Sequence, residues 1–172
     1  NNSKWQESHI KPYQEISISP CAQVFHYGQA CFEGMKAYKN NDDVFLFRPK
    51  ENWTRFNNST KRLCMPEVPE EIFINGIKEL VNLDHKWIPD NKNSALYIRP
   101  FMIATEEYIK AMPSKKYLFM IVTAPTGSYY DAKIDVKIEE KYSRSSQGGV
   151  GFIKAGGNYG ASFYPTKLAQ NE

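Results

Sequence analysis

The sequence predicts an α+β fold, and three observations carry that prediction. Residues 49–63 and 70–83 place apolar side chains at helical spacing. Residues 95–104 and 117–124 are long apolar stretches of strand character, and residues 134–139 alternate apolar with charged. These segments do not follow the strict β-α-β succession that builds a parallel doubly wound sheet.

Each element has its own reason. Val44 to Arg48 reads as a strand because aromatic and branched residues follow the Asn40-Asn41-Asp42-Asp43 turn. Pro49 and Glu51 open a helix that runs to about Leu63 and is stopped by Pro66. Phe56, Thr60 and Leu63 share one face of it. A second helix, 70–83, turns Phe73, Ile77, Leu80 and Val81 inward and closes before Pro89. Pro113 falls in the loop between the two long apolar strands. Ile134, Val136 and Ile138 against Asp135, Lys137 and Glu139 predict a half-exposed strand. The last segment, 159–170, reads as helical, with Pro165 expected to disturb it unless the helix starts just before that residue. A domain boundary is expected near 128–134, after the last apolar strand.

With 172 residues the chain is long enough for one domain, or one domain plus a piece, with a sizeable core. Its net charge of +3 is scattered, which argues against nucleic acid as a partner. No apolar run approaches a membrane span, and the polar start lacks the apolar core of a signal peptide. Three widely spaced cysteines without a Cys-x-x-Cys pair predict a reducing, cytoplasmic setting and no structural metal.

The densest chemical signal is the window 148–160, which holds six of the ten glycines around a single lysine, Lys154. Such clusters form where the main chain bends tightly or approaches something closely. A phosphate-binding P-loop needs its lysine after the last glycine with a hydroxyl next; here Gly156 and Gly157 follow Lys154, and its neighbour is Ala155. A dinucleotide loop needs glycine where Lys154 stands. Two readings survive on residue types alone. One is a lysine that attaches pyridoxal 5'-phosphate, with Val150, Phe152 and Ile153 favouring its neutral form by desolvation. The other is a glycine linker with an incidental lysine.

The window resembles the cofactor-lysine segment of the branched-chain amino acid aminotransferases, pyridoxal-phosphate enzymes of fold type IV. Four further stretches match that family in order: His26-Tyr27 with Cys31 to Tyr38, Leu46 to Pro49 with Asn52 to Arg55, Lys61 to Pro66, and Leu96 to Pro100. The resemblance covers essentially the whole chain. It implies a small N-terminal α/β domain over 1–130, an interdomain connection and first strand over 131–147, and the truncated start of a cofactor domain over 148–172. It implies transamination of leucine, isoleucine and valine with 2-oxoglutarate, pyridoxal 5'-phosphate as cofactor, amino acids and 2-oxo acids as ligands, and at least a homodimer. A D-amino acid aminotransferase, an aminodeoxychorismate lyase or a non-catalytic phosphate-ester binding module are the alternatives.

Site roles follow from the same resemblance. Lys154 matches the residue that binds the cofactor covalently and then shuttles the substrate proton. Tyr159 matches the tyrosine beside the cofactor's phenolic oxygen, although a buried structural tyrosine reads the same way in sequence. Arg55 matches the arginine on the cofactor phosphate, a task suited to a planar, permanently charged donor. Without the resemblance it reads as a surface helix arginine. Tyr27, Phe32, Tyr97 and Tyr129 match aromatics that line the substrate pocket, with the Tyr97 loop crossing to a partner subunit. Arg99 points the same way as Tyr97 by strand alternation and joins the pocket or the interface. Arg48, Arg62 and His26 are expected to be structural, with His26 on the face opposite Tyr27.

Two departures accompany the match. The 106–111 loop is more charged than the family pattern, which bears on substrate preference. The family's acid for the pyridine nitrogen would come after Glu172, so the 172 residues by themselves are expected not to transaminate.

Overall fold

The computed structural model describes residues 4–91, 93–128 and 133–171. A short helix α1 (Gln23–Tyr27) leads into β1 (Ala30–Phe32), β2 (Met35–Asn40) and β3 (Asp43–Leu46). Helices α2 (Pro49–Arg62) and α3 (Glu70–Leu83) follow, then β4 (Ala95–Ala104), β5 (Tyr117–Thr126) and α4 (Gly157–Gln170). The five strands form one antiparallel sheet.

Strand β4 is the spine. Its whole length pairs with β5, from Ala95 opposite Thr126 to Ala104 opposite Tyr117. Its other edge takes β1 and β2 in succession, with Phe32 opposite Phe101 and Met35 opposite Ile98. Strand β3 closes the outer edge beyond β2. Along β4 the side chains of Leu96, Ile98, Pro100, Met102 and Ala104 are buried, and those between them are half-buried. That alternation follows from the strand period of two and makes one face a core and the other a partly open surface.

Helices α2 and α3 cover the core face. Phe56 of α2, Phe73 of α3 and Phe119 of β5 meet with ring centroids 5.5, 5.5 and 5.9 Å apart. Those are favourable aromatic separations. Ser59 and Thr60 are buried on α2 beside Phe56, while Leu63 is only partly so. On α3, Phe73, Ile74, Ile77 and Val81 are buried, and Leu80 is half-buried.

Several expectations need correction. Residues 134–139 are not a strand: the segment belongs to no described sheet, and Ile134, Val136 and Ile138 are 54%, 82% and 84% exposed. Alternation alone does not make a strand; a neighbour must supply the ladder. The strand read to Arg48 ends at Leu46, because Arg48 takes a left-handed backbone (φ 50°) just before Pro49 opens α2. The final helix continues through Pro165, which supplies no N–H to the carbonyl one turn back. The expected domain boundary falls partly on residues 129–132, outside the described residues.

Candidate active site

The lysine window is fastened to the sheet by its own backbone. Phe32 N–H donates to the Lys154 carbonyl at 3.1 Å, and Gly156 N–H donates to the Ala30 carbonyl at 3.2 Å. Cys31 and Ala155 form an antiparallel bridge. Residues 154–156 thus occupy the outer edge of β1 like a fragment of a sixth strand. Helix α2 adds a third tie: Ser59 Oγ accepts the Lys154 N–H at 3.0 Å and donates to the Arg55 carbonyl at 3.0 Å.

Inside the window, Asn158 is buried and its Nδ2 donates to the carbonyls of Val150 (2.8 Å) and Ile153 (2.9 Å). Gly151 must be glycine, because a Cβ there would collide with the Cβ of Ser145. A Cβ at Gly156, Gly157 or Gly160, by contrast, would meet nothing of this chain within 4 Å.

With its backbone fixed, the Lys154 side chain lies over Phe32, its Nζ 4.7 Å from the ring centroid, and donates to Tyr159 Oη at 2.8 Å. Tyr159 sits in the first turn of α4, five residues on, and its ring lies 5.0 Å from that of Phe32. Arg99 stacks on Phe32 with its guanidinium carbon 4.3 Å from the centroid. Its Nη2 donates to Tyr97 Oη at 2.8 Å. Arg144 approaches Tyr159 at 5.5 Å. Phe32 stands at the centre of this group, on the half-buried face it shares with Tyr97, Arg99 and Phe101.

Gly34 is a close-approach glycine. An added Cβ would fall on the Tyr97 hydroxyl, so its absence lets that hydroxyl lie against the β1–β2 connection and receive Arg99.

Arg55 comes to the site from α2. Its Nε and Nη2 both bond the carboxylate of Glu33, the latter at 2.8 Å. The hydrogen bond to Glu33 raises the Arg55 pKa, burial opposes that rise, and the nearby charges of Glu33 and Tyr159 add to it. Burial, helped by Glu33, pushes the neighbouring Cys31 thiol up to about 12, so it is a neutral core group.

Lys154, Tyr159, Phe32, Arg99 and Tyr97 are therefore brought together, and Arg55 flanks them from α2, its carbonyl linked to the Lys154 N–H through Ser59. Tyr27 is not among them: it is the exposed last residue of α1, with its ring 6.1 Å from that of His26. Because that stretch is a helix, strand alternation does not separate the two. His26 has a structural partner, the Pro20 carbonyl at 2.9 Å. Tyr97 is within β4, and its hydroxyl receives Arg99 of its own chain. Tyr129 lies outside the described residues. Arg62 reaches the Gly148 carbonyl at 3.4 Å and Arg48 pairs with Glu51 at 3.6 Å, both structural contacts. Among the described residues no cluster of His, Cys, Asp and Glu fits a metal, and no helix is long and apolar enough to cross a membrane.

This arrangement has known counterparts. A probable branched-chain-amino-acid aminotransferase of Staphylococcus epidermidis is 47% identical over 162 residues, 92% of this chain and 45% of that protein. Branched-chain-amino-acid aminotransferase 2 of Bacillus subtilis is 43% identical over 172 residues, 98% of this chain and 47% of its own. The T.th. branched-chain amino acid aminotransferase, solved with N-(5'-phosphopyridoxyl)-L-glutamate, superposes with a TM-score of 0.72. It is 30% identical, over 88% of this chain and 50% of that one. The chain belongs to the branched-chain amino acid aminotransferase family, over the family's N-terminal portion.

The fold is accordingly that of the N-terminal α/β domain of fold type IV. The Thermoproteus uzoniensis branched-chain aminotransferase, with a TM-score of 0.70 at 22% identity, shares that fold. No family model matches the chain. The chain spans about half the length of the curated relatives it matches. Within this aminotransferase-family fold, sequence reasoning missed Glu33, Ser59 and Asn158. Glu33 had a visible signal, a lone charge in the buried alternation of Cys31, Met35 and Ala37. Ser59 and Asn158 had none, since their partners are backbone groups remote in sequence or inside an irregular loop.

Proposed function

We propose that the chain carries the lysine-bearing part of a pyridoxal-phosphate enzyme. This enzyme transfers the amino group of leucine, isoleucine or valine to 2-oxoglutarate, giving branched-chain 2-oxo acids and glutamate. The observation that carries the reading is the convergence of Lys154 Nζ and Tyr159 Oη, 2.8 Å apart, beside Phe32. The donor set fits an anionic, aromatic cofactor: one primary amine, one phenol, a half-exposed arginine and an aromatic floor.

When bound, pyridoxal 5'-phosphate supplies an electron sink that makes the α-hydrogen of an amino acid acidic. Lys154 would hold the group covalently, and once the substrate amine has taken its place there, its Nζ would move the proton at the substrate Cα. Tyr159 orients that amine through their hydrogen bond. Arg55 presents its guanidinium to the phosphate. Phe32 offers an apolar wall to an aliphatic side chain, and Arg99 with Tyr97 offers donors to a carboxylate. Tyr129 belongs to the same pocket in this reading. Tyr27, exposed and outside the cluster of its own chain, would line the pocket of a second subunit in a homodimer. The small domain is assigned to 1–130, the connection to 131–147 and the cofactor domain from 148 onward, in a cytoplasmic enzyme.

Borohydride reduction of the full open reading frame in the presence of pyridoxal 5'-phosphate, followed by peptide mapping, tests the reading. A pyridoxyl group on Lys154 and preference for leucine, isoleucine and valine in an amino-donor panel support it. Cofactor uptake without an adduct at Lys154 overturns it in favour of a binding module.

A further inference from the structure

Glu33 is fully buried, and its neighbours in the alternation, Cys31, Met35 and Ala37, are buried and apolar. A carboxylate placed there needs hydrogen-bond donors. It has four: Oε1 accepts from Arg55 Nε, and Oε2 accepts from Arg55 Nη2 (2.8 Å), Asn52 Nδ2 (2.8 Å) and the Gly34 N–H (3.1 Å). Both oxygens are thus tied to α2, and Oε2 also to the β1–β2 connection.

Stability alone does not account for the pair, because an apolar pair of the same volume is often as stable as a buried ion pair. What the pair achieves is directional. Glu33 lies wholly inside, yet the Arg55 side chain is 55% exposed. Two of the guanidinium nitrogens face inward to Glu33, and among the described residues no protein acceptor takes the third, Nη1. Asn52, on the same helix three residues earlier, braces the carboxylate. The next residue after Arg55 in that turn, Phe56, is locked in the aromatic core. Two hydrogen bonds to one buried carboxylate, on a helix packed through Phe56, set the orientation of the guanidinium.

We infer that Glu33 is a positioning residue that fixes the Arg55 guanidinium edge-on so that its free side meets the phosphate of the cofactor. The inference rests on the proposed function, from which the phosphate comes. It makes a prediction opposite in sign to simple electrostatics. Removing a negative charge next to an anion site should tighten binding if charge alone matters; removing a clamp should weaken it.

The test measures dissociation constants of pyridoxal 5'-phosphate and of pyridoxal, which lacks the phosphate, on the full open reading frame. E33Q is expected to raise the constant for pyridoxal 5'-phosphate about tenfold or more, the scale of one lost charge-assisted hydrogen bond. The constant for pyridoxal should stay within about twofold, a change too small to reflect a lost hydrogen bond. In an R55K background, E33Q should change neither, because lysine cannot make the bidentate pair. Tighter or unchanged binding of the phosphate ester, an equal loss for pyridoxal, or a loss that persists beside R55K each overturns the assignment. Should E33Q fail to fold, N52A keeps both charges and removes one brace. A smaller, phosphate-specific loss is then expected, and no phosphate-specific loss refutes the inference. If the unmodified protein binds no pyridoxal 5'-phosphate, the proposed function falls and this inference with it. If it binds and the variants are indifferent, only this inference falls.

Discussion

The two faces of β4 divide one strand between two jobs. Leu96, Ile98 and Met102 face α2 and α3 and are essentially dry. Tyr97 and Arg99, each one residue away, face the lysine and carry hydrogen bonds and ring contacts. The core face leaves little room for change, since close packing penalises both voids and overfilling. The other face is half-open and polar, and its order is borrowed from the first through the stiffness of the strand. Glu33 crosses this division: a charge on the core side that serves the open side. Function here is built on the reverse of a packed surface.

Five substitutions probe that division, from the largest effect to the smallest. Lys154→Ala on the open face should abolish covalent cofactor attachment and lower amino-group transfer by roughly 10²–10⁴-fold or more, with the melting transition little changed. Survival of both the adduct and turnover would put the chemistry elsewhere. Phe56→Ala on the core face should do the reverse, costing about 3–5 kcal/mol in denaturant unfolding because Phe73 and Phe119 lose their common neighbour. A loss under about 1 kcal/mol would mean that the helix layer is not the source of rigidity.

Gly34→Ala lies between the faces. The added methyl must displace the Tyr97 hydroxyl, so about 1–3 kcal/mol of stability should go, along with the Arg99 to Tyr97 hydrogen bond. Tyr97→Phe, lacking that hydroxyl, should recover part of the stability of the alanine variant; no recovery would place the strain elsewhere. Val136→Ser samples the segment outside the sheet and should change stability by no more than about 0.5 kcal/mol. A larger cost would show that residues 134–139 are paired in solution.

The elements that depend on local pattern are legible in the sequence. The helix over 70–83 and the strand over 95–104 have the bounds read from periodicity, and α2 and β5 differ only at their ends. The lysine with its tyrosine five residues on is legible from glycine spacing and family resemblance, and the structure places the two in hydrogen-bond contact. What is not legible depends on partners far away in the chain. The 134–139 alternation looks the same whether or not a strand lies beside it. That Tyr97 meets the β1–β2 connection is hidden because a sequence does not show that Gly34 clears room for its hydroxyl. Glu33 stays hidden inside a motif because a buried carboxylate is recognised by its donors, and Asn52 and Arg55 lie a turn into the next helix.

The seam between β1 and residues 154–156 also orders events during synthesis. Strand β1 is made early, yet its outer edge gains a neighbour only when the lysine window emerges. Until then the nascent chain exposes an unpaired strand edge, the kind of surface that invites association with other chains. The closing contact joins residues distant in sequence, so it forms late and slowly. A ribosome pausing just short of the Lys154 codon would leave β1 with an open border, which is sealed only when that lysine and Ala155 arrive.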